Sequence, residues 1–226
     1  MMIRIICLII GYVFGLFQTG FFYGKLKGID IREHGSGNSG TTNTLRVLGT
    51  KAGLIVFAGD CIKCMLAVWI VRLTFGAANP DIMYLLCLYT AAGAILGHNF
   101  PFYMNFKGGK GIAATAGLIL SFQPYFVVTG VILFFGSFLT THYVSLGSLL
   151  VYAGFMVQII ISGQMGLFPG MTQVQLYEMY TVAALLAVMA YGKHWDNIKR
   201  LLKGSERKTY LFKKNKVDVQ AAEKEE

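Results

Sequence analysis

The sequence predicts an all-helical membrane protein in which seven transmembrane helices form one polytopic bundle. Of its 226 residues, 55% are hydrophobic and only 14% are charged, and the mean hydropathy is +0.57. A soluble domain carries about a quarter charged residues, so this balance indicates lipid as the solvent. The apolar stretches are long and continuous rather than alternating, which favours spanning helices over a β-barrel.

Seven apolar segments carry this prediction. They cover residues 3–23, 52–73, 82–96, 111–122, 125–139, 146–161 and 177–191. The fourth is short, because a helix from Lys110 to Gln123 rises about 21 Å against a hydrocarbon core of ~30 Å. Pro124 separates it from the fifth segment.

The distribution of Lys and Arg supports the count of seven. With seven crossings, the basic loops and the C-terminus share one side, and only Arg4 and Arg72 remain near the other. The positive-inside rule makes the basic side, with the C-terminus, the cytoplasmic side of a multi-pass membrane protein. The net charge of +9 therefore indicates orientation in the membrane rather than binding of nucleic acid. We expect residues 1–212 to form the membrane domain and residues 213–226 a polar, disordered cytoplasmic tail.

The first loop, residues 34–46, combines glycines with short polar side chains. Gly35, Gly37 and Gly40 let the backbone turn sharply and approach a ligand closely. The hydroxyl and amide side chains among them belong to Ser36, Asn38, Ser39, Thr41, Thr42 and Asn43. Arg46, about one turn into the following helix, can give a phosphate two parallel hydrogen bonds. The alternative is a flexible polar linker; a dinucleotide-binding G-x-G-x-x-G motif is rejected because membrane spans flank the loop.

The second loop contains His98 and, further on, the run Gly108, Gly109, Lys110 and Gly111 just before the short fourth span. Glycines followed by a helix start place free N–H groups and a positive dipole end beside an anion, and the lysine adds a full charge. The run is not a Walker A motif. A basic anchor at the membrane interface is the alternative.

The third loop, residues 193–206, leaves the last span as a basic helix. Such a helix often lies on the membrane surface, which is the alternative for its lysines. His194, Asn197 and Glu206 add an acid/base group, an amide and a carboxylate. Within the second span, Asp60 and Lys63 lie on one helical face and are expected to pair, either with each other or with other residues of the bundle.

The three loops contain the segments GSGNSGTTNTLR, GHNFP with FKGGKG, and HWDNIKRLLKGSE. In order and spacing, these segments resemble the three motif regions of the bacterial membrane glycerol-3-phosphate acyltransferases that use acyl phosphate. The resemblance runs from the first span to Glu206 and implies a seven-span bundle with a cytoplasmic-side site. It implies catalytic roles for Ser36, Arg46, Lys110, His194 and Asn197. It implies substrate or phosphate binding by Gly35, Gly37, Asn38, Gly40, Thr42, Asn43, His98, Gly108, Gly109, Gly111, Ser145, Ser148 and Glu206.

The resemblance also implies a reaction. The sn-1 hydroxyl of glycerol 3-phosphate attacks the acyl carbon of acyl phosphate, which gives lysophosphatidic acid and phosphate for phospholipid synthesis. The sequence shows no Ser-His-Asp or Cys-His arrangement, which favours direct transfer with either the acyl phosphate or His194 as the base. We expect a monomer that acts in membrane lipid without cofactor or metal. The rival hypothesis is a transporter of phosphate esters or other anions.

Overall fold

The computed structural model describes residues 1–211, so the predicted polar tail lies outside the described residues. Within residues 1–211 all regular secondary structure is helical, which confirms the predicted fold class. The helices are α1 (Met2–Gly15), α2 (Thr19–Leu26), α3 (Thr41–Leu48), α4 (Thr50–Val71), α5 (Met83–Asn99), α6 (Ile112–Ser121), α7 (Pro124–Thr141), α8 (Val144–Gln164), α9 (Gln173–Lys193) and α10 (Trp195–Leu202). Short 3-10 or π turns cover Ile31–Glu33, Arg72–Gly76, Pro80–Ile82 and Phe102–Met104.

Six stretches of the described chain are long and apolar enough to cross a bilayer. They are Met2–Leu26, Thr50–Gly76, Pro80–Met104, Pro124–Thr141, Val144–Gln164 and Gln173–Lys193. Each coincides with one predicted span. The remaining predicted span corresponds to α6, which has 10 residues and is about 15 Å long. The seventh crossing therefore stays a prediction, while the multi-pass architecture is confirmed.

The first span is broken, whereas the sequence predicted one uninterrupted helix. α1 ends at Gly15 and α2 begins at Thr19. The predicted pairing of Asp60 and Lys63 is confirmed at 2.8 Å, and this pair lies against the break. Lys63 Nζ donates to the carbonyls of Gly15 (3.2 Å) and Phe17 (2.5 Å), and Thr19 Oγ1 donates to Asp60 Oδ1 (3.0 Å). The buried side chains thus satisfy backbone groups that the break would otherwise leave without partners inside the membrane.

Glycines let α1 and α5 pack with their backbones in contact. A Cβ at Gly11 would lie 1.8 Å from the Thr90 carbonyl oxygen, and one at Gly15 would lie 2.2 Å from that of Ala94. Small residues four apart are typical of close helix pairs in membranes. Because residue numbers increase together along both contacts, the two helices run parallel. This is the direction that the intervening antiparallel span α4 requires.

The short helix α6 packs against the middle of α4. A Cβ at Gly117 would lie 2.4 Å from the Cys61 carbonyl oxygen. Cys61 lies well past the start of α4 at Thr50, whereas Gly117 lies close to the start of α6 at Ile112. At 1.5 Å rise per residue, α6 begins about 9 Å deeper than α4. The glycine run before α6 therefore enters the bundle from the end where α4 starts.

We expect Gly93→Ala to destabilise the protein, because the new Cβ would lie 2.0 Å from the Leu8 carbonyl oxygen of α1. Forcing apart two packed backbones costs about 1–3 kcal/mol, measurable as a lower unfolding temperature in detergent. Gly136→Ala in α7 is the control, since within residues 1–211 no atom outside its own helix backbone and its chain neighbours lies within 4 Å of its Cβ position. That change is expected to be neutral or stabilising. Equal losses in both variants would contradict the close α1–α5 contact.

Candidate active site

The first loop is organised by the buried side chain of Asn43. Its Oδ1 accepts the backbone N–H of Ser36 at 2.8 Å. Its Nδ2 donates to the carbonyls of Ile31 (3.0 Å), His34 (2.9 Å) and Asn38 (2.9 Å). The amide predicted to bind substrate is therefore engaged in holding the loop, and its contact with a substrate stays a prediction.

Two of the three glycines of this loop adopt the sharply turned backbone that the sequence predicted, whereas Gly40 is extended. Gly35 and Gly37 have φ of +63° and +70°, a region that residues with side chains rarely occupy. The Asn38 side chain accepts the N–H of Gly40 at 3.0 Å, just before α3 begins. The hydroxyl-bearing residue Ser36 is exposed. The loop is thus a tight turn ahead of a helix N-terminus, with one hydroxyl open to solvent.

Arg46 lies within α3, as predicted, and is held by the end of the described chain. Its Nη2 donates to Thr209 Oγ1 at 2.7 Å and to the Arg207 carbonyl at 3.1 Å. The Thr209 backbone N–H in turn donates to the His142 carbonyl at 2.9 Å, in the turn between α7 and α8. We name residues 204–211 the C-terminal strap. This strap connects the first loop with the α7–α8 turn across one end of the bundle.

The glycine run of the second loop lies directly on His98. Gly109 N–H donates to the His98 carbonyl at 3.1 Å, and Gly108 N–H donates to that of Asn99 at 3.2 Å. A Cβ at Gly109 would lie 2.0 Å from His98 Nε2, and one at Gly108 would lie 2.1 Å from His98 O. Any side chain at these two positions would displace the loop. His98 is buried beneath the run. It therefore lies next to the glycine run, and its predicted contact with a substrate stays a prediction.

Lys110 leaves the glycine run and meets the third loop. Its ammonium donates to Asn197 Oδ1. Burial, and then the nearby guanidinium of Arg200, lower the pKa of Lys110 to about 8, and Arg46 contributes to the same lowering. Two arginines from different loops therefore act on this ammonium. A cluster of cations partly withdrawn from water favours an anion strongly.

Glu206 joins the third loop to α8. Its Oε1 accepts from Ser145 Oγ (2.9 Å) and Asn197 Nδ2 (2.7 Å), and its Oε2 accepts from Arg200 Nε (2.8 Å). Asn197 therefore bridges the carboxylate to Lys110. This arrangement gives Glu206 a positioning role, because its oxygens are directed at protein donors.

His194 is buried at the start of the same loop. Its Nδ1 lies 2.8 Å from the Ala190 carbonyl, which can only accept, so the ring carries a proton on Nδ1 and its Nε2 is an acceptor. Burial, and then the charge of Lys110, lower the pKa of His194 to about 4. The imidazole is therefore neutral at pH 7 and lies within the electrostatic reach of Lys110.

The remaining predicted residues lie around these groups. Ser148 is buried, and its hydroxyl donates to the Val144 carbonyl at 2.8 Å. Gly111 caps α6 with φ of +82°. Thr42 is half-buried in the first turn of α3.

Three contacts were absent from the sequence prediction. Thr209 binds Arg46, Arg200 binds Glu206, and Lys63 binds His98 Nδ1 at 2.9 Å. Charged residues inside a span, such as Lys63, are a signal that could have indicated the third contact. Thr209 carries no such signal, because it follows the last motif in a short polar stretch.

Together these features define a polytopic helical membrane protein with a cluster of basic and amide side chains at one end of its bundle. The family described as "Glycerol-3-phosphate acyltransferase" matches residues 5–204. The chain therefore belongs to the glycerol-3-phosphate acyltransferase family and is an acyltransferase, as predicted.

Individual relatives agree with this assignment. The glycerol-3-phosphate acyltransferase of Thermosipho melanesiensis is 39% identical over 215 residues, covering 92% of this chain and 95% of that protein. That of Bacillus subtilis is 37% identical over 212 residues, covering 92% and 98%. The crystal structure of PlsY (YgiH), an integral membrane glycerol 3-phosphate acyltransferase, in its glycerol 3-phosphate form, superposes with a TM-score of 0.79 at 30% identity. It covers 93% of this chain and 99% of that chain.

We expect Glu206→Ala to lower stability by about 1–3 kcal/mol, because it leaves the buried Ser145 hydroxyl and Asn197 amide without the carboxylate that they contact. The Arg200 guanidinium is 36% exposed and can be hydrated instead. Thermal unfolding in detergent measures the loss. The matched control is Asp196→Ala, which removes the exposed ion pair between Asp196 and Lys199, both on α10. Such a surface pair contributes roughly 0–1 kcal/mol. A loss at Glu206 no larger than that at Asp196 would contradict the network.

Proposed function

We propose that this protein transfers an acyl group from acyl phosphate to the sn-1 hydroxyl of glycerol 3-phosphate, giving lysophosphatidic acid and phosphate. The observation that carries the proposal is the position of Lys110, a partly buried ammonium in the field of Arg46 and Arg200. Both substrates carry phosphate, and cations at one point offset the repulsion between two anions. The relatives' name supplies glycerol 3-phosphate as one of those anions.

The two phosphates approach the site from different directions in this proposal. Arg46 and the turn before α3 receive one phosphate, and Lys110 with the first turn of α6 receives the other. The N–H groups of Gly108 and Gly109, which the sequence predicted to be free for an anion, donate instead to the carbonyls of Asn99 and His98. The buried end of the glycine run favours the acyl phosphate there, because its acyl chain lies in lipid and its head must enter from the membrane. Asn197 and His194 lie beside Lys110 and provide further polar groups at the site.

We propose direct transfer. The sn-1 oxygen of glycerol 3-phosphate forms a bond to the acyl carbon, the bond between that carbon and the phosphate oxygen breaks, and the hydroxyl proton leaves with the phosphate. A histidine with a pKa of about 4 is a weak base at neutral pH, whereas a departing phosphate dianion is a stronger one. His194 Nε2 then acts as a hydrogen-bond acceptor that orients the hydroxyl.

The location of the site follows the charge distribution. The first loop, the glycine run and α10 are basic, which supports a cytoplasmic face of the bacterial inner membrane for them. The contacts from Arg46 to Thr209 and from Lys110 to Asn197 form within one chain. A site built in this way supports a monomer as the working unit.

The direct test uses purified protein in lipid vesicles with labelled glycerol 3-phosphate and palmitoyl phosphate. We expect labelled lysophosphatidic acid and an equal amount of released phosphate. Lys110→Gln is expected to reduce kcat/KM at least about 100-fold, because it removes the charge that meets the phosphate. Uptake of glycerol 3-phosphate without product would support the transporter. Product formed from palmitoyl-CoA but not from palmitoyl phosphate would overturn the proposed donor.

The pH profile of kcat/KM is expected to fall above about pH 8, where the free enzyme's Lys110 loses its proton. The sign follows from the charge: below this pH the ammonium binds phosphate, and above it the neutral amine does not. Lys110→Arg keeps its charge at all these pH values, so the alkaline fall should disappear even if kcat/KM is lower.

His194→Gln is the companion variant for the proton transfer. It is expected to keep the alkaline fall, to raise KM and to keep kcat within about tenfold, because the glutamine amide can still orient a hydroxyl. A general base contributes about 100- to 10,000-fold. A loss of kcat in that range would assign the proton to His194 and contradict transfer to the phosphate.

A further inference from the structure

A buried ion pair lies in the interior of α4. Asp60 is 0% and Lys63 is 5% exposed, and Lys63 Nζ donates to Asp60 Oδ1 at 2.8 Å. Charged groups within a membrane span are costly, and those that persist are commonly functional. The reaction proposed above makes no direct use of either residue. Their contacts therefore need an explanation of their own.

The ammonium of this pair fixes the chemistry of a histidine. Lys63 Nζ lies 2.9 Å from His98 Nδ1, and the adjacent Asp60 carboxylate favours the charged ammonium. An ammonium has protons to donate and no lone pair to offer. His98 Nδ1 is therefore an acceptor, and the proton of the neutral ring lies on Nε2.

The other side of the same ring supports the glycine run. A Cβ at Gly109 would lie 2.0 Å from His98 Nε2, and the Gly109 N–H donates to the His98 carbonyl at 3.1 Å. The His98 carbonyl also accepts from Gln18 Nε2 at 3.0 Å. The backbone that leads to Lys110 thus packs against the His98 imidazole, and Lys63 on the opposite side of the ring fixes its orientation.

We propose that Asp60 and Lys63 are positioning residues for the acyl transfer: they hold the His98 imidazole, through its Nδ1, in the orientation that supports Gly109 and so fixes where Lys110 stands. The kinetic part of this proposal rests on the proposed function. The alternative is a purely structural pair that only closes the break between α1 and α2. The two readings differ in what happens when both charges are removed together.

The decisive variant is the double change Asp60→Asn with Lys63→Met. It leaves the net charge unchanged and leaves no isolated charge in the membrane, so the variant is expected to fold. Its unfolding temperature is expected to be lower, because the carbonyls of Gly15 and Phe17 lose the lysine donor, and the kinetics are measured below that temperature. We expect KM for glycerol 3-phosphate or acyl phosphate to rise on the order of tenfold or more, with a smaller change in kcat. Unchanged kinetics in the folded variant would overturn the proposal.

A matched control uses the ion pair at the other end of the bundle. Arg4 Nε donates to Glu178 Oε1 at 2.6 Å, far from the glycine run. The double change Arg4→Met with Glu178→Gln removes both charges in the same way. We expect its KM values to stay unchanged. An equal rise in KM in this control would show that loss of any partly buried pair has the same effect, and would overturn the specific role of Asp60 and Lys63.

A second measurement determines the protonation of His98 in the unaltered protein and does not depend on activity. The chain has four histidines, so ¹⁵N-labelled histidine gives few ring signals, and His98→Gln identifies those of His98. We expect an unprotonated Nδ1 and a protonated Nε2. A proton on Nδ1 would overturn the proposed contact. This spectrum is independent of the reaction, so a protein that formed no lysophosphatidic acid would contradict the proposed function while leaving the His98 result to stand or fall alone.

Discussion

A lysine ammonium that has been drawn out of water needs a partner, and the whole end of this bundle is arranged around that requirement. Lys110 is brought inward by a glycine run that tolerates no side chain, and burial lowers its pKa. Asn197 accepts one of its hydrogen bonds, and Asn197 is in turn fixed by Glu206. In the proposed reaction this cluster supplies preorganised positive charge, partly withdrawn from water, where negative charge develops.

Close backbone packing makes this arrangement possible. α1 and α5 approach each other through glycines, and α6 meets α4 through Gly117. These contacts let a short helix begin below its neighbours, so that the glycine run reaches into the bundle. The break after Gly15 contributes to the same arrangement, because its carbonyls accept hydrogen bonds from Lys63, which also contacts His98 beneath the run. The contacts that hold the helices together therefore also position the glycine run and Lys110.

Much of this could be predicted from sequence. Hydropathy and the distribution of basic residues predict a helical bundle with its polar loops on one side, and the spacing of the motifs indicates the family. Local chemistry predicts the turns at Gly35 and Gly37 and the helix that carries Arg46. The pairing of Asp60 with Lys63 follows from their three-residue spacing.

Other features could not be predicted, because they depend on contacts between distant segments. Asn43 has a side chain typical of ligand-binding residues. Only the fold shows that its amide nitrogen contacts three backbone carbonyls. The break in the first span leaves no proline as a marker and is stabilised by residues over forty positions away. The contact of Thr209 with Arg46 joins residues 163 apart, a separation at which local pattern carries no information.

The central claim is that Arg46 and Lys110, from separate loops, face one site that holds two anions side by side. The most direct measurement is a double-mutant cycle with Arg46→Gln and Lys110→Gln, using calorimetric dissociation constants for glycerol 3-phosphate. Each charge acts on the site occupied by the other residue's phosphate, so the account predicts an interaction energy of about 1 kcal/mol or more between the two changes. Effects that add to within about 0.5 kcal/mol, as for independent sites, would contradict it.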